Sequence, residues 1–248
     1  MEIFVLAFFA IGYLILAGAD IGIGMLLPYL GRTSDQRREV IAAIAPFFLG
    51  NEVWLVATGG ILAGLFPTLE GELLSGNYGV IVALLASWVL RDMGLWLRGR
   101  VLAGGWQALW DGVIVAGSWG LALSLGTLLS DILLGVSGPV GMLPALIMAV
   151  LFAAHGLAFA SLRLRGELRA RATVLSAQTG EGVTYALTSG VIAALAIVAG
   201  LRLPLTDSHT GVAAFLAPVV LVLIPFLVAA QAWVWWTFRH RVTGPSYL

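Results

Sequence analysis

Four ionisable side chains lie inside stretches that are otherwise apolar: Asp20, Glu52, Asp111 and His155. Such a group either pairs with polar neighbours and holds helices together, or takes up and releases protons. Withdrawal from water favours the neutral form of a carboxyl group and brings its proton exchange toward working pH. Asn51 stands beside Glu52 and adds a donor and an acceptor. Adjacent residues on a helix point about 100° apart, so the two need not touch. For Asp20 and Glu52 both readings stay open. The alternative for His155 is a satisfied hydrogen-bonding imidazole. For Asp111, which follows Trp110 near a helix start, it is a carboxylate complementing the helix dipole.

These groups must be positioned by membrane helices. The chain has 248 residues, 60% hydrophobic and 10% charged, with a mean hydropathy of +1.00. A soluble domain carries about 25% charged residues. The composition therefore predicts an all-α integral membrane protein. With no cysteine, disulfides, thiolate metal sites and iron–sulfur clusters bound by this chain are excluded. A formal net charge of zero argues against nucleic acid as a partner. All 13 basic residues are arginine. The first apolar run lacks a basic leader and a small-residue cleavage site, and is read as a retained span.

Hydropathy predicts a single domain, 1–248, with about seven transmembrane helices. They fall at roughly 3–30, 39–66, 74–97, 106–135, 140–162, 182–203 and 211–238, each near the 20 or so residues a bilayer needs. Arginines fill alternate connections: Arg32, Arg37 and Arg38, then Arg91, Arg98 and Arg100, then Arg163 to Arg171, then Arg239 and Arg241. The intervening connections hold Glu70 and Glu72, then Asp131 beside the neutral stretch 136–139, then Arg202 with Asp207 and His209. The positive-inside rule makes the arginine side cytoplasmic. The expectation is an N-terminus outside and a C-terminus inside, which an odd number of spans satisfies. The basic strip 163–181 is expected to contact anionic membrane lipids.

At 1.5 Å per helical residue, Asp111 lies about 7 Å in from the cytoplasmic end of its span, His155 about 11, Asp20 about 15 and Glu52 about 20. The sequence thus predicts a graded series of acids and one imidazole. "GADIGIG" (18–24) is not a dinucleotide fingerprint, since its spacing is wrong and no strand precedes it. Gly18 and Gly22 form a small-xxx-small pair suited to close helix packing, and Gly59, Gly60 and Gly64 repeat the pattern. Most tryptophans fall near span ends, as interfacial anchors do, whereas Trp54 and Trp119 are expected inside. Axial haem ligands are few: His155, and methionines such as Met25 and Met148.

The ordered motifs go further than this physics. The stretch from "GADIGIGMLLPYLGR" through "GNEVWL" resembles the first two spans of subunit II of the cytochrome bd-type quinol oxidases. The likeness continues through Arg91 and Arg98, Trp110-Asp111, Gly117-Ser118, His155-Gly156 and Gly166-Glu167-Leu168, and loosely through Pro225 and Trp235-Trp236. It implies a non-haem-binding subunit of a quinol:oxygen oxidoreductase in a bacterial or archaeal cytoplasmic membrane. The expected partner is a haem-bearing subunit I, with haem b, haem d and the quinol site in that separate chain. The likeness also implies room for a small single-span accessory subunit and a structural quinone or lipid.

By the same resemblance Asp20, Glu52, Asp111 and His155 are the proton-path residues to test. Gly18, Gly22, Asn51, Trp54 and Trp110 belong to the motifs and their packing. Two positions depart from the family pattern: Ala17 and Leu49 stand where relatives place acids. Relatives also commonly carry further late spans. The rival readings are a stand-alone proton channel or transporter, and a purely structural scaffold.

Overall fold

The computed structural model describes residues 1–136, 138–205 and 210–244. Asp207 and His209 lie outside the described residues. The long apolar first run forms α1 (Glu2–Met25). Pro28 then withholds a backbone donor, and the chain turns at Leu26 into one short turn, α2 (Leu27–Leu30). Helix α3 (Ser34–Ile44) begins at Thr33, whose hydroxyl accepts from Gln36 N at 3.2 Å. The Gln36 side chain reaches back to Arg32 N at 2.9 Å. These reciprocal bonds satisfy donors that a helix start leaves unpaired.

The predicted span 39–66 is broken. Pro46 lies in a turn at 45–47, and a new helix, α4 (Phe48–Leu65), begins after it. Proline lacks the N–H that a continuous helix needs and clashes with the preceding turn. Helix α5 (Pro67–Gly76) starts on a proline, which costs nothing where the N–H would be free anyway. Then come α6 (Tyr78–Leu97), a 3-10 turn Arg98–Arg100, and α7 (Gly104–Leu134). Gly135 ends α7 with φ at +63°, a left-handed conformation that glycine adopts without penalty. Helices α8 (Met142–Arg163), α9 (Gly166–Ala172), α10 (Glu181–Gly200) and α11 (Thr210–Thr237) complete the order. Among the described residues, seven helices are long and apolar enough to cross a membrane.

Helix α1 is the central element, in contact with α4, α7, α8 and α10, while α6 packs along α7. Lipid is as apolar as leucine, so close packing rather than water exclusion brings such helices together. At Gly22 the backbones of α1 and α8 nearly touch: an added Cβ would overlap the Phe152 carbonyl and reach 2.9 Å from Gly156 Cα. The predicted role of Gly18 and Gly22 in close packing thus has a partner, α8. Gly59 and Gly60 differ, because among the described residues nothing beyond their own stretch of helix lies within 4 Å of a Cβ placed there. Only Gly64 of that trio meets another helix, at Leu216 of α11.

Two apolar clusters pack against α1, one along most of its length and the other against its last two turns. One gathers Phe9, Leu14, Trp54, Leu121 and Phe152. The other gathers Ile23, Leu30, Ile41, Phe47 and Phe159. Asp20 lies on α1 where the two meet. Helix α11 is largely exposed along its span and is tied down by polar contacts at its far end. Arg163 donates to Phe238 O and lies over the Phe47 ring, 5.1 Å from its centroid. Arg241 reaches Glu181 at 2.6 Å and Leu164 O at 2.9 Å.

Candidate functional site

The expected ladder of four groups separates into three unlike environments. Asp111 is 5% exposed in the third turn of α7, too far from the helix start for a dipole cap. Arg98 bonds to it through Nε, and through Nη2 at 3.4 Å. Arg37 of α3 adds a bond of 3.1 Å to Oδ2. Arg98 Nη2 also donates to Ser34 O at 3.0 Å, and Trp106 Nε1 to Leu97 O at 2.7 Å. Asp111 is thus the centre of a staple joining α3, the end of α6 and α7. Arg98, predicted as a loop arginine, is itself 2% exposed.

His155 is fully buried on α8. Its Nε2 lies 3.0 Å from Ile15 O, a carbonyl that only accepts, so Nε2 carries the hydrogen. Its Nδ1 lies 2.7 Å from Thr188 Oγ1, and its ring stacks on Tyr185 at 4.7 Å. The imidazole therefore pins α8 to α1 and α10, and bonds to none of the described acids.

Glu52 lies beside an arginine that falls inside the predicted span 74–97, although its charge counts there with the basic connection that follows. Arg91 is 3% exposed and lies inside α6, six residues before its end. Its Nη1 is 3.9 Å from Glu52 Oε1 and 3.0 Å from Asp92 Oδ1. Asp92, which the sequence reading did not single out, completes an acid–arginine–acid group. Asn51, 3% exposed, donates to Asp20 Oδ2 at 2.6 Å and to Leu16 O at 3.2 Å. The break at Pro46 ends the continuous helix on which the depth of Glu52 is counted; Glu52 lies in the second turn of α4, beside Arg91. The adjacent Arg91-Asp92 pair inside an apolar run was the available signal for this group.

The cluster is under-satisfied. Among the described residues, Asp20 Oδ1, Glu52 Oε1, Trp88 Nε1 and Arg91 Nε and Nη2 are buried without a hydrogen-bond partner. Buried donors and acceptors placed together in this way suit bridging water, and a proton can cross such a group by hydrogen-bond exchange. Trp88 and Asp92 also line a lateral cavity of about 400 Å³ with Met93 and Trp96. Among the described residues, Trp110 Nε1, beside Asp111, and Ser118 Oγ, further along α7, are unpaired as well.

Seven apolar helices around a few interior charges define a multi-pass membrane protein. The chain belongs to the family described as cytochrome bd terminal oxidase subunit II, whose model matches residues 1–240. It is 31% identical over 198 residues to the cytochrome bd-I ubiquinol oxidase subunit 2 of Escherichia coli K12, covering 71% of this chain and 52% of that one. It is 32% identical over 236 residues to the Bacillus subtilis cytochrome bd ubiquinol oxidase subunit 2, covering 89% and 68%. A probable cytochrome oxidase subunit 2 of Haemophilus influenzae is 30% identical over 193 residues, covering 70% and 51%. The chain thus spans about half the length of the first of these relatives. The bacterial relatives and the seven helices make this a multi-pass protein of the cytoplasmic membrane.

A cytochrome family implies haem, and the interior residues do not fit it. Both His155 nitrogens are engaged by Ile15 and Thr188. Met25 and Met148 are packed into the apolar core. Among the described residues, no group of three or more acids and histidines is placed to hold a metal ion.

Proposed function

We propose that this chain is subunit II of a bd-type terminal oxidase that oxidises quinol and reduces dioxygen to water. It binds no haem itself, stabilises a haem-bearing subunit I, and passes protons through the Asp20–Glu52–Arg91–Asp92 cluster. The observation that carries the proton role is that cluster, with its buried unpaired oxygens and nitrogens among three carboxyls. Asp111 and His155 are given structural roles, because every contact they make joins helices. The arginine distribution supports the N-terminus outside and the C-terminus inside. Arg91 no longer counts toward it, since it lies within α6.

The tagged chain is expected to co-purify from its native membrane with a protein showing haem b and haem d bands in a reduced-minus-oxidised spectrum. In that complex, Asp20→Asn and Glu52→Gln are each expected to lower oxygen consumption by about tenfold, roughly 1.4 kcal/mol in the barrier, at unchanged haem content. A preparation without a haem protein would overturn the subunit reading. Unchanged rates in both variants would leave a scaffold.

The same cluster indicates the face that meets the partner. Glu52 and Asp92 keep side-chain exposures of 16% and 19%. Around them Leu49 and Val53 of α4, and Val89 and Met93 of α6, face outward. A partly exposed acid pair at membrane depth is costly against lipid and is normally turned toward protein. The chain has no native cysteine, so single cysteines report cleanly. Met93→Cys should be shielded from a membrane-permeant maleimide in the assembled complex, and Leu187→Cys on α10 should remain reactive. Equal labelling of both would move the interface elsewhere.

A further inference from the structure

The geometry points to a directed hydrogen-bond relay, Trp54 to Gln231 to Asn51 to Asp20, in which Gln231 is a positioning residue for the proton-exchanging oxygen of Asp20. The relay rests on the proton role proposed above for Asp20. It joins α1, α4 and α11, and Gln231 is the polar contact that α11 makes at this level.

Both ends of the relay fix its direction. An indole N–H only donates, and Trp54 Nε1 lies 3.4 Å from Gln231 Oε1. The Gln231 amide must therefore turn its oxygen to Trp54 and its nitrogen the other way. Gln231 Nε2 donates to Asn51 Oδ1 at 3.0 Å. With its oxygen so occupied, Asn51 presents its NH₂ to α1. There one hydrogen meets Leu16 O at 3.2 Å, an acceptor only, and the other meets Asp20 Oδ2 at 2.6 Å. Every donor points toward Asp20, and each end independently requires the same amide orientations.

The consequence lies on the carboxyl. A hydrogen on Oδ2 would face the Asn51 NH₂ donor to donor. Oδ2 is thus kept as an acceptor, and a proton arriving at Asp20 sits on Oδ1 and leaves from Oδ1. That oxygen is buried and bonds to no described group. Without Gln231, the Leu16 carbonyl alone holds the Asn51 amide in this orientation, and the amide turns its oxygen to Asp20 more readily. A proton is then held on Oδ2 against Asn51 and withdrawn from the exchange atom.

The test uses the complex purified with its native partner. Gln231→Leu is expected to lower oxygen consumption about three- to tenfold at unchanged haem content, the worth of one hydrogen bond. In an Asp20→Asn background the same change should add nothing, because both act on one group. Trp54→Phe removes only the first donor and should act in the same direction to a smaller extent, which covers the case in which Gln231→Leu fails to assemble. The carboxylic C=O infrared band that disappears in Asp20→Asn should shift in Gln231→Leu. An equal rate loss in both backgrounds, or an unshifted band, overturns the relay. If Asp20→Asn leaves the rate unchanged, the proton role falls, while the band still reports separately on the relay.

Discussion

Replacing Gly156 with leucine is expected to leave no folded chain in the membrane. Helices α1 and α8 cross here backbone to backbone. A Cβ on Gly156 would overlap Gly22 C and stand 2.7 Å from Gly22 Cα. Overpacking a core costs about 1–3 kcal/mol where side chains can shift. Here the obstacle is main chain, so the helices themselves must separate, and the loss should exceed that range. Separation would also move Asp20, two residues before Gly22, and His155, next to Gly156. The measurement is the yield and thermal unfolding of the chain in detergent, with haem content of the complex as a second readout. Gly59→Ala and Gly60→Ala serve as controls. With open space around both, they should change stability by no more than about 0.5 kcal/mol. A Gly156→Leu protein as stable as the parent would show that this crossing does not hold the bundle together.

Seven apolar runs are legible because each reads as a span without knowledge of its neighbours. The ordered motifs around Asp20, Asn51 and His155 carried the family in the same way. What the runs conceal is which face of a helix turns inward. Gly18 and Gly59 belong to the same spacing pattern, yet one meets Phe152 and the other meets no described group of another helix within 4 Å. Arg91 falls inside the predicted span 74–97, yet counting charge by connection groups it with Arg98 and Arg100, although six helical residues separate it from the end of α6, about 9 Å of depth. The break at Pro46 carried a sequence signal, since a proline inside an apolar pattern ends or kinks a helix. It also removed the basis for placing Glu52 deepest. Gln231 bonds to a residue 180 positions away, a pairing that no local pattern contains. The only trace of it is an amide alone in an apolar helix.

Cutting the staple near the start of α7 should have the second large effect. Arg98→Leu is expected to destabilise the chain by about 3–5 kcal/mol, because it leaves Asp111 buried with one partner fewer. Asp111 retains Arg37, but that side chain is 27% exposed against 2% for Arg98, so it offers weaker compensation in a wetter setting. Asp111→Leu should cost a similar amount by stranding the Arg98 guanidinium. Replacing both together should cost much less than the two single changes summed, since removing a buried pair is far milder than removing half of it. Arg37→Ala, at the exposed edge, should cost about 1 kcal/mol or less. Thermal unfolding of the four proteins in one detergent supplies the cycle. Oxygen consumption by the assembled Asp111→Asn complex then separates the two meanings of this carboxyl. A staple loses stability first, and keeps its turnover per haem in whatever complex survives. A stable complex that has lost turnover would instead make Asp111 the entry point for protons, with Arg98 and Arg37 as its gate.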